Sequence, residues 1–265
     1  MAKPDQLFGS PVTILPDFIL SYDLTSLQWV LLGISGLLIG MSKTGLSGVG
    51  LMVVPILANA FGGRPSVGLL LPILIFADIF AVAWYNRHAE WKHIVRLIPW
   101  AIIGIVVAAL VGKSISDATF NRLLSAIVII GIGILVWQDL RSGKMKIPES
   151  RWFAAGLGLT GGFATMMGNA AGPVMAIYLL SMRLPKNSYI GTGAWFFFIV
   201  NLSKVPLHVW SWKTITVESF LLDVIMIPAI ATGAFLGIWL VRLLPEKIFR
   251  IIIIATTLLS ALLLF

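Results

Sequence analysis

Long apolar runs separated by short polar stretches dominate the sequence. The first run covers residues 27–61, and further runs cover 67–85, 94–111 and 120–137. A second set of runs follows after residue 152. Most runs are close to the roughly 20 residues that a helix needs to span the hydrocarbon core of a bilayer. The pattern therefore predicts an all-α polytopic membrane protein, with a single integral membrane domain over residues 1–265.

Composition supports the membrane class and limits the functions to consider. The chain is 58% hydrophobic and 11% charged, with a mean hydropathy of +0.98, whereas soluble domains average about 45–50% and about 25%. The formal net charge of +8 is best interpreted as loop lysines and arginines that set topology, so no nucleic-acid partner is expected. The chain has 0 cysteines, which excludes disulfides and cysteine–metal sites.

Two segments combine apolar character with clustered glycines and hydroxyls. The first covers residues 36–50 and contains Lys43, the only charge between residues 27 and 61. The second covers residues 158–173. A lysine at membrane depth is costly and usually faces a cavity or a partner. Broken helices are tolerated in a bilayer only where the freed backbone lines a cavity or is buried in protein, so both segments are predicted to be helix breaks at a central site.

The second half of the sequence repeats the first. A shift of 122 residues places Gly158, Gly162 and Gly172 on Gly36, Gly40 and Gly50, and a shift of 129 places Pro228 on Pro99. We therefore predict a first repeat over 27–140, a second over 152–265, and a linker over 141–151. A matching pair of glycine-interrupted apolar segments points to a transporter site.

Loop charges indicate how the repeats are related. If each broken segment crossed the membrane once, the basic residues would divide 9 against 8, without bias. If each broken segment returns to its own side, they divide 12 against 5. The larger group consists of Arg87, Lys92, Arg96, Arg141, Lys144, Lys146, Arg151, Arg183, Lys186, Arg242, Lys247 and Arg250. The smaller group consists of Lys3, Arg64, Lys113, Arg122 and Lys213.

The positive-inside rule favours the second arrangement. It predicts two inverted repeats, each a broken-helix hairpin followed by three transmembrane helices, with a cytoplasmic linker and both termini outside the cytoplasm. The charge count does not distinguish a re-entrant hairpin from two short spans. Arms over 27–42 and 46–61 would each measure about 24 Å as helix, short of a hydrocarbon core of about 30 Å, so hairpins with tips near the midplane are the preferred interpretation.

The hairpin tips carry the candidate substrate site. Half-helices beginning near Leu46 and Ala170 would direct free backbone N–H groups at the centre, and such helix ends bind anions. Lys43 and neighbouring hydroxyls add further donors. The alternative for the glycines is close helix packing. The candidate substrate-binding residues are Ser42, Lys43, Thr44, Gly45, Ser47, Gly48, Thr165, Gly168, Asn169 and Gly172.

Three further polar residues lie inside predicted spans. The repeat places Asp78 opposite Val200, beside Asn201, so that Asp78, Asn201 and Lys204 are predicted to share one cavity. Asp78 is a candidate group for coupling to a proton or cation. The alternatives are a structural ion pair of Asp78 with either lysine, and a Lys204 that snorkels to the interface. No metal-ligand grouping, cofactor motif or nucleophile–base pair was found, so an enzyme is not expected.

Three motifs together resemble the TauE/SafE family of sulfite and organosulfonate exporters. They are the run from Gly36 through Ser42-Lys43-Thr44-Gly45 to Gly48, the loop 86–92, and the run 168–173. The resemblance covers residues 27–265 and implies an anion permease of the cytoplasmic, or inner, membrane with two homologous halves. The second half differs at the position of Lys43, where it has Thr165.

The leading hypothesis is a secondary transporter, an exporter, of a small sulfur-containing oxyanion such as sulfite, thiosulfate or an organosulfonate. It would work by alternating access, with the anion held at two half-helix ends near the midplane. The alternatives are an anion-selective channel, a permease for a small organic carboxylate, and a non-transporting membrane scaffold. The sequence does not fix the oligomeric state.

Overall fold

The computed structural model describes residues 24–46, 48–111 and 151–263. Every regular element in these ranges is helical, which agrees with the predicted all-α class. The predicted span over 120–137, residues 141–150 of the linker, and Ser47 lie outside the described residues.

The first half contains four described α-helices. These are α1 (Ser26–Thr44), α2 (Val53–Phe61, preceded by a 3₁₀ turn at Val49–Met52), α3 (Gly63–Tyr85) and α4 (Trp91–Val111). The second half contains α5 (Arg151–Gly168), α6 (Gly172–Ser181), α7 (Lys186–Pro206, extended by a π-helical turn at Leu207–Ser211), α8 (Val217–Ile225), α9 (Ile227–Leu243) and α10 (Glu246–Leu263). Among the described residues, four helices are long and apolar enough to cross a membrane, or five when the bent pair α8–α9 is counted as one span.

Both broken segments fold back on themselves as antiparallel hairpins. In the first hairpin, the side-chain amide of Gln28 near the start of α1 donates to the carbonyl of Ala60 near the end of α2, at 3.0 Å. In the second, the ring of Phe153 near the start of α5 stacks on Tyr178 near the end of α6, with ring centroids 6.1 Å apart. The chain therefore returns to the end from which each segment entered.

The two arms of each hairpin are unequal, which corrects the predicted arms of equal length. The first arms α1 and α5 have 19 and 18 residues, and the second arms α2 and α6 have 9 and 10. At 1.5 Å per residue the first arms are about 27–28 Å long and the second about 14–15 Å. Helix α1 continues through Lys43 because the glycine that ends it is Gly45. Only the second arms are therefore half-helices.

Packing between the halves is reciprocal. Helix α1 packs along α9 of the other half, and α5 packs along α4. These two contacts correspond under the shifts of the sequence repeat. The central pair, α3 and α7, are each other's counterparts and also pack together. The first hairpin arm of each half thus packs against a helix of the other half.

Glycines make the two reciprocal contacts close. A Cβ on Gly40 of α1 would collide with the backbone oxygen of Ile230, and a Cβ on Gly162 of α5 would collide with that of Ala101. Helix packing in membranes relies on such small residues because the backbones can then approach each other. Gly40 and Gly162 therefore permit close helix packing, which was the alternative interpretation of the glycines.

One local feature of the second half differs from the sequence-based expectation. In the first half, Gly62 alone, with φ of +88°, separates α2 from α3, which begins at Gly63. The segment aligned with α4 breaks into α8 and α9, which are bent by 48°. Pro228 stands in the first turn of α9, whereas its counterpart Pro99 lies inside the unbroken α4.

Replacing Gly40 or Gly162 with alanine tests the reciprocal packing. We expect each substitution to lower the free energy of unfolding by about 1–3 kcal/mol, the usual cost of overpacking. Gly33 of α1 and Gly156 of α5 are matched controls, because a Cβ at either position meets nothing within 4 Å. Thermal unfolding in detergent measures the difference. Equal effects at the tight and open positions would contradict the packing argument.

Candidate functional site

The two hairpin tips meet beside α3 and α7 and enclose part of a cavity of about 80 Å³. This volume holds a few water molecules or one small anion with part of its hydration. The first tip turns at Gly48, with φ of +101°, and the second turns at Asn169, with φ of +55°. The polar and glycine residues that line the cavity are Ser42, Lys43, Gly48, Gly50, Thr165, Asn169, Gly172, Tyr189, Gly193 and Asn201.

Lys43 joins the first hairpin to the two central helices. Its ammonium lies 2.8 Å from Asp78 Oδ1 on α3 and 4.0 Å from the centre of the Phe197 ring on α7. The other carboxylate oxygen, Asp78 Oδ2, accepts a hydrogen bond of 2.6 Å from the side-chain amide of Asn201 on α7. Asp78 is fully buried, while the Lys43 side chain remains 11% exposed and lines the cavity. The ion pair weighed as an alternative for Asp78 is therefore present.

Lys204 is held by the second hairpin. Its ammonium donates to the backbone oxygen of Thr165 at 3.1 Å, to Thr165 Oγ1 at 2.9 Å and to Asn169 Oδ1 at 2.7 Å. The side chain is fully buried and does not line the cavity. Lys204 therefore does not snorkel to the interface, because the hairpin tip supplies three oxygen acceptors for its ammonium.

Asn169 extends this contact to α3. While its oxygen accepts from Lys204, its side-chain nitrogen donates to the backbone oxygen of Val67 at 3.1 Å. The second tip is thus bound to α7 through Lys204 and to α3 through Val67. Both hairpin tips are consequently attached by polar contacts to the same central pair of helices.

The polar contacts recur in the two halves with the position of the cation exchanged. In the first half the lysine is on the hairpin, at Lys43, and its acceptor Asp78 is on the central helix. In the second half the counterpart of Lys43 is Thr165, and the lysine is Lys204 of the central helix. The cluster thus contains two amines and one carboxylate. Among the described residues, Asp78 is in the one ion pair found, so the cluster has one more amine than carboxylates.

The start of α6 brings a helix N-terminus to the cavity, where Gly172 has a backbone N–H and Pro173 has none. Gly172 and Pro173, its first residues, line the cavity, and its N-cap Ala171 provides no side-chain cap. By contrast, Thr25 caps α1 through a capping box. An uncapped helix N-terminus leaves N–H groups without an intrahelical partner and carries partial positive charge. This end of α6 is suited to stabilising an anion.

Several candidate residues lie elsewhere. Thr44 faces α9. Its hydroxyl lies 2.9 Å from the carbonyl of Ala234 on α9 and 3.0 Å from that of Gly40 in its own helix. Gly45 also packs against α9, with Gly237 beside it. Gly168 ends α5 and does not line the cavity. Ser47 lies outside the described residues.

The structure also presents residues that sequence reasoning missed. Phe197 contacts the Lys43 ammonium, but it is one of three consecutive phenylalanines and no sequence feature distinguishes it. Asp223 is another residue that the sequence did not single out. It is fully buried in α8, and neither carboxylate oxygen has a hydrogen-bond partner among the described residues. Within that same part of the chain, no cluster of three or more potential metal ligands occurs.

Comparison with known protein families gives a match over most of the chain. The profile of the family described as "Sulfite exporter TauE/SafE" matches residues 32–264. The chain belongs to the TauE/SafE family. The TauE/SafE profile thus includes the first hairpin from residue 32 onward, the whole second hairpin and every residue of the polar cluster, Lys43, Asp78, Thr165, Asn169, Asn201 and Lys204.

Two curated relatives of this TauE/SafE protein carry the name "Probable membrane transporter protein MamO". The protein from Paramagnetospirillum magneticum is 24% identical over 274 residues, which cover 78% of this chain and 43% of the relative. The protein from Magnetospirillum gryphiswaldense is 23% identical over 244 residues, covering 71% of this chain and 37% of the relative. The chain thus spans less than half the length of these relatives. No solved structure gives a significant match.

A double-mutant cycle tests the ion pair. Lys43→Met should destabilise the protein by about 3–5 kcal/mol, because it leaves the buried Asp78 carboxylate without its cation. Adding Asp78→Asn should recover most of this loss, since the amide carries no charge. Lys247→Met, at an exposed lysine of α10, controls for loss of a positive charge. Unfolding in detergent is measured for the wild type, both single variants, the double variant and the Lys247→Met control. Additive effects of Lys43→Met and Asp78→Asn would contradict the pair.

Proposed function

We propose that this protein is a secondary transporter that exports a small sulfur-containing oxyanion, such as sulfite, thiosulfate or an organosulfonate. The observation that carries the proposal is the Lys43 ammonium, which lines a cavity bounded by both hairpin tips. A charged donor inside a membrane protein is expensive unless it serves a partner or a substrate. Membership in the TauE/SafE sulfite exporter family supports the same substrate class.

The lysine is only partly satisfied by the protein. Asp78 Oδ1 and the Phe197 ring occupy two sides of the ammonium, and an ammonium has three donors. A bound oxyanion would take a donor directed into the cavity and would balance the second amine of the cluster. Ser42, Thr165, Asn169 and the first turn of α6 would supply further donors at the two tips.

Alternating access between inverted repeats is the proposed mechanism. Its support is the reciprocal packing of α1 on α9 and of α5 on α4, which a pseudo-two-fold relation between the halves would generate. The second tip is also held to α3 and α7 by hydrogen bonds. A rocking motion of one half against the other would break and re-form these bonds. Asp78 is the proposed coupling group, because protonation of its carboxylate would release Lys43 from the ion pair.

The proposed orientation is supported by the loops that lie at one end of the bundle. The amide of Glu90, just before α4, donates to Thr192 near the start of α7. The Lys186 ammonium donates to the carbonyls of Val241 and Leu244 at the end of α9. These contacts bring the loop after α3, the start of α7 and the end of α9, which carry Arg87, Lys186 and Arg242, to one end of the bundle. The positive-inside rule would place that end in the cytoplasm. We propose the inner membrane as the location, with both termini outside the cytoplasm.

Anion binding by Asp78 and Lys43 variants tests the proposed substrate site. Asp78→Asn should raise anion affinity, because it removes the carboxylate that competes for the ammonium. Adding Lys43→Met to this variant should then lower affinity by roughly ten- to a hundredfold, since a hydrogen bond to a charged group contributes about 1.5–3 kcal/mol. Thermal stabilisation by sulfite, thiosulfate, sulfonates and carboxylates measures binding.

The comparison of Asp78→Asn with the double variant avoids Lys43→Met alone, which is expected to be unstable. Both compared proteins lack the buried Asp78 carboxylate. Equal affinity in the two variants would remove Lys43 from the substrate site. Stabilisation by carboxylates alone would favour an organic-acid permease. Counterflow in proteoliposomes with the membrane potential clamped at zero separates a carrier from a channel. Unlabelled anion inside should accelerate uptake of labelled anion by a carrier, whereas a channel would then show no such stimulation.

Site-directed cysteine labelling tests the inverted repeats. The chain has 0 native cysteines, so each introduced thiol reports alone. Cysteines at Ser142 and Asn187 should react only from the cytoplasm, and one at Lys113 only from outside. Labelling of positions 142 and 187 from opposite sides would instead fit parallel repeats with a single crossing for each broken segment.

A further inference from the structure

A second cavity lies where α3 ends, α7 begins and α9 ends. It has a volume of about 320 Å³. Its lining residues are Trp84, Tyr85, His88, Lys186, Asn187, Val241 and Arg242. No aspartate or glutamate lines it. The cavity is therefore a basic and aromatic pocket, which we call the end pocket.

Arg242 supplies the available charge of the end pocket. Its guanidinium lies 4.8 Å from the centre of the Trp84 ring, and its side chain is exposed. The described residues offer no ion-pair partner for it. A guanidinium stacked on an aromatic face keeps its planar edge of donors free, and this edge suits the oxygens of a phosphate group.

The start of α7 adds donors to the same pocket. The Lys186 ammonium is partly used, because it donates to Leu244 O at 2.6 Å and to Val241 O at 3.0 Å. The Lys186 backbone N–H donates to Glu246 Oε2 at 2.9 Å, so this nearby carboxylate is engaged. The N-cap of α7 is Pro185, which provides no side-chain cap. The next amides of this first turn have no intrahelical acceptor.

The surroundings of the end pocket favour a lipid as the source of the phosphate. Trp84 is 46% exposed, and on α9 Trp239 is 57% and Leu243 is 63% exposed. In a membrane protein, such apolar surface beside a helix end faces lipid, and tryptophan is enriched at the interface. The pocket therefore opens where acyl chains and headgroups meet, next to the basic loops proposed to be cytoplasmic.

We propose that the end pocket binds the phosphate of an anionic phospholipid headgroup in the cytoplasmic leaflet. Arg242 and the first turn of α7 bind the phosphate, and Trp84 packs against the lipid. Basic pockets between transmembrane helices on the cytoplasmic side are suited to such headgroups. The bound lipid would bridge α3 of the first half with α7 and α9 of the second.

Native mass spectrometry of the whole protein in mild detergent tests this site with phosphatidylglycerol and phosphatidylcholine of the same acyl chains. The wild-type protein should retain phosphatidylglycerol in preference to phosphatidylcholine. Arg242→Gln should reduce this preference about fivefold, the effect expected for one basic residue near an anionic lipid. Arg242→Lys should keep most of it, because the charge remains.

Lys247→Gln is the matched control, since it removes one exposed positive charge from the adjacent start of α10 outside the pocket. It should leave the lipid preference unchanged. Equal retention of both lipids by the wild type would overturn the proposal, and so would equal losses in the Arg242 and Lys247 variants. Displacement of phosphatidylglycerol by an equal concentration of glycerol phosphate would identify a site for soluble phosphates instead. Melting temperatures check that each variant is folded.

Discussion

The buried ion pair between Lys43 and Asp78 is the interaction on which the rest of the site depends. It connects the first hairpin to α3, and the hydrogen bond from Asn201 to the same carboxylate extends it to α7. Two charges cannot remain unpaired at this depth without a large desolvation cost. The positions of α1, α3 and α7 therefore constrain one another. Moving any one of these helices would expose a charged group or leave it without its partner.

The sequence was sufficient to predict the elements that follow from periodicity and local chemistry. Lys43 in an apolar run, the repeated glycines and the loop charges predicted two hairpins. The shift of 122 predicted that Asp78 and Asn201 lie together, and the two side chains are hydrogen-bonded. The direction of individual side chains was not predictable, because it depends on which helix lies on each face. Thr44 points to α9 and Lys43 to the cavity, although they are adjacent. The bend before Pro228 was missed for the same reason, since Pro99 in an equivalent position leaves α4 intact.

The two halves share a packing plan but differ in their electrostatics. The first hairpin provides a cation and the second provides neutral oxygens of Thr165 and Asn169, while the central helices provide Asp78 and Lys204. A symmetric pair of lysines on both hairpins would place like charges close together at the tips, with a repulsion that low dielectric strengthens. Because the lysine lies on the hairpin in the first half and on the central helix in the second, each ammonium stays beside its own acceptors. The two tips would therefore make different contacts with a ligand between them.

Reciprocal packing also has a consequence for biosynthesis. The hydroxyl of Thr44 on α1 reaches the carbonyl of Ala234, a residue 190 positions later in the chain. At ribosomal rates of about 5–20 residues per second, this partner emerges about 10–40 s after α1. During that interval the glycine face of α1 has only lipid, nascent neighbours or insertion machinery to cover it. Helix α9, made long after α1, therefore completes the packing of α1. A ribosome that stalls before α9 would leave an inserted chain whose first hairpin lacks this packing partner.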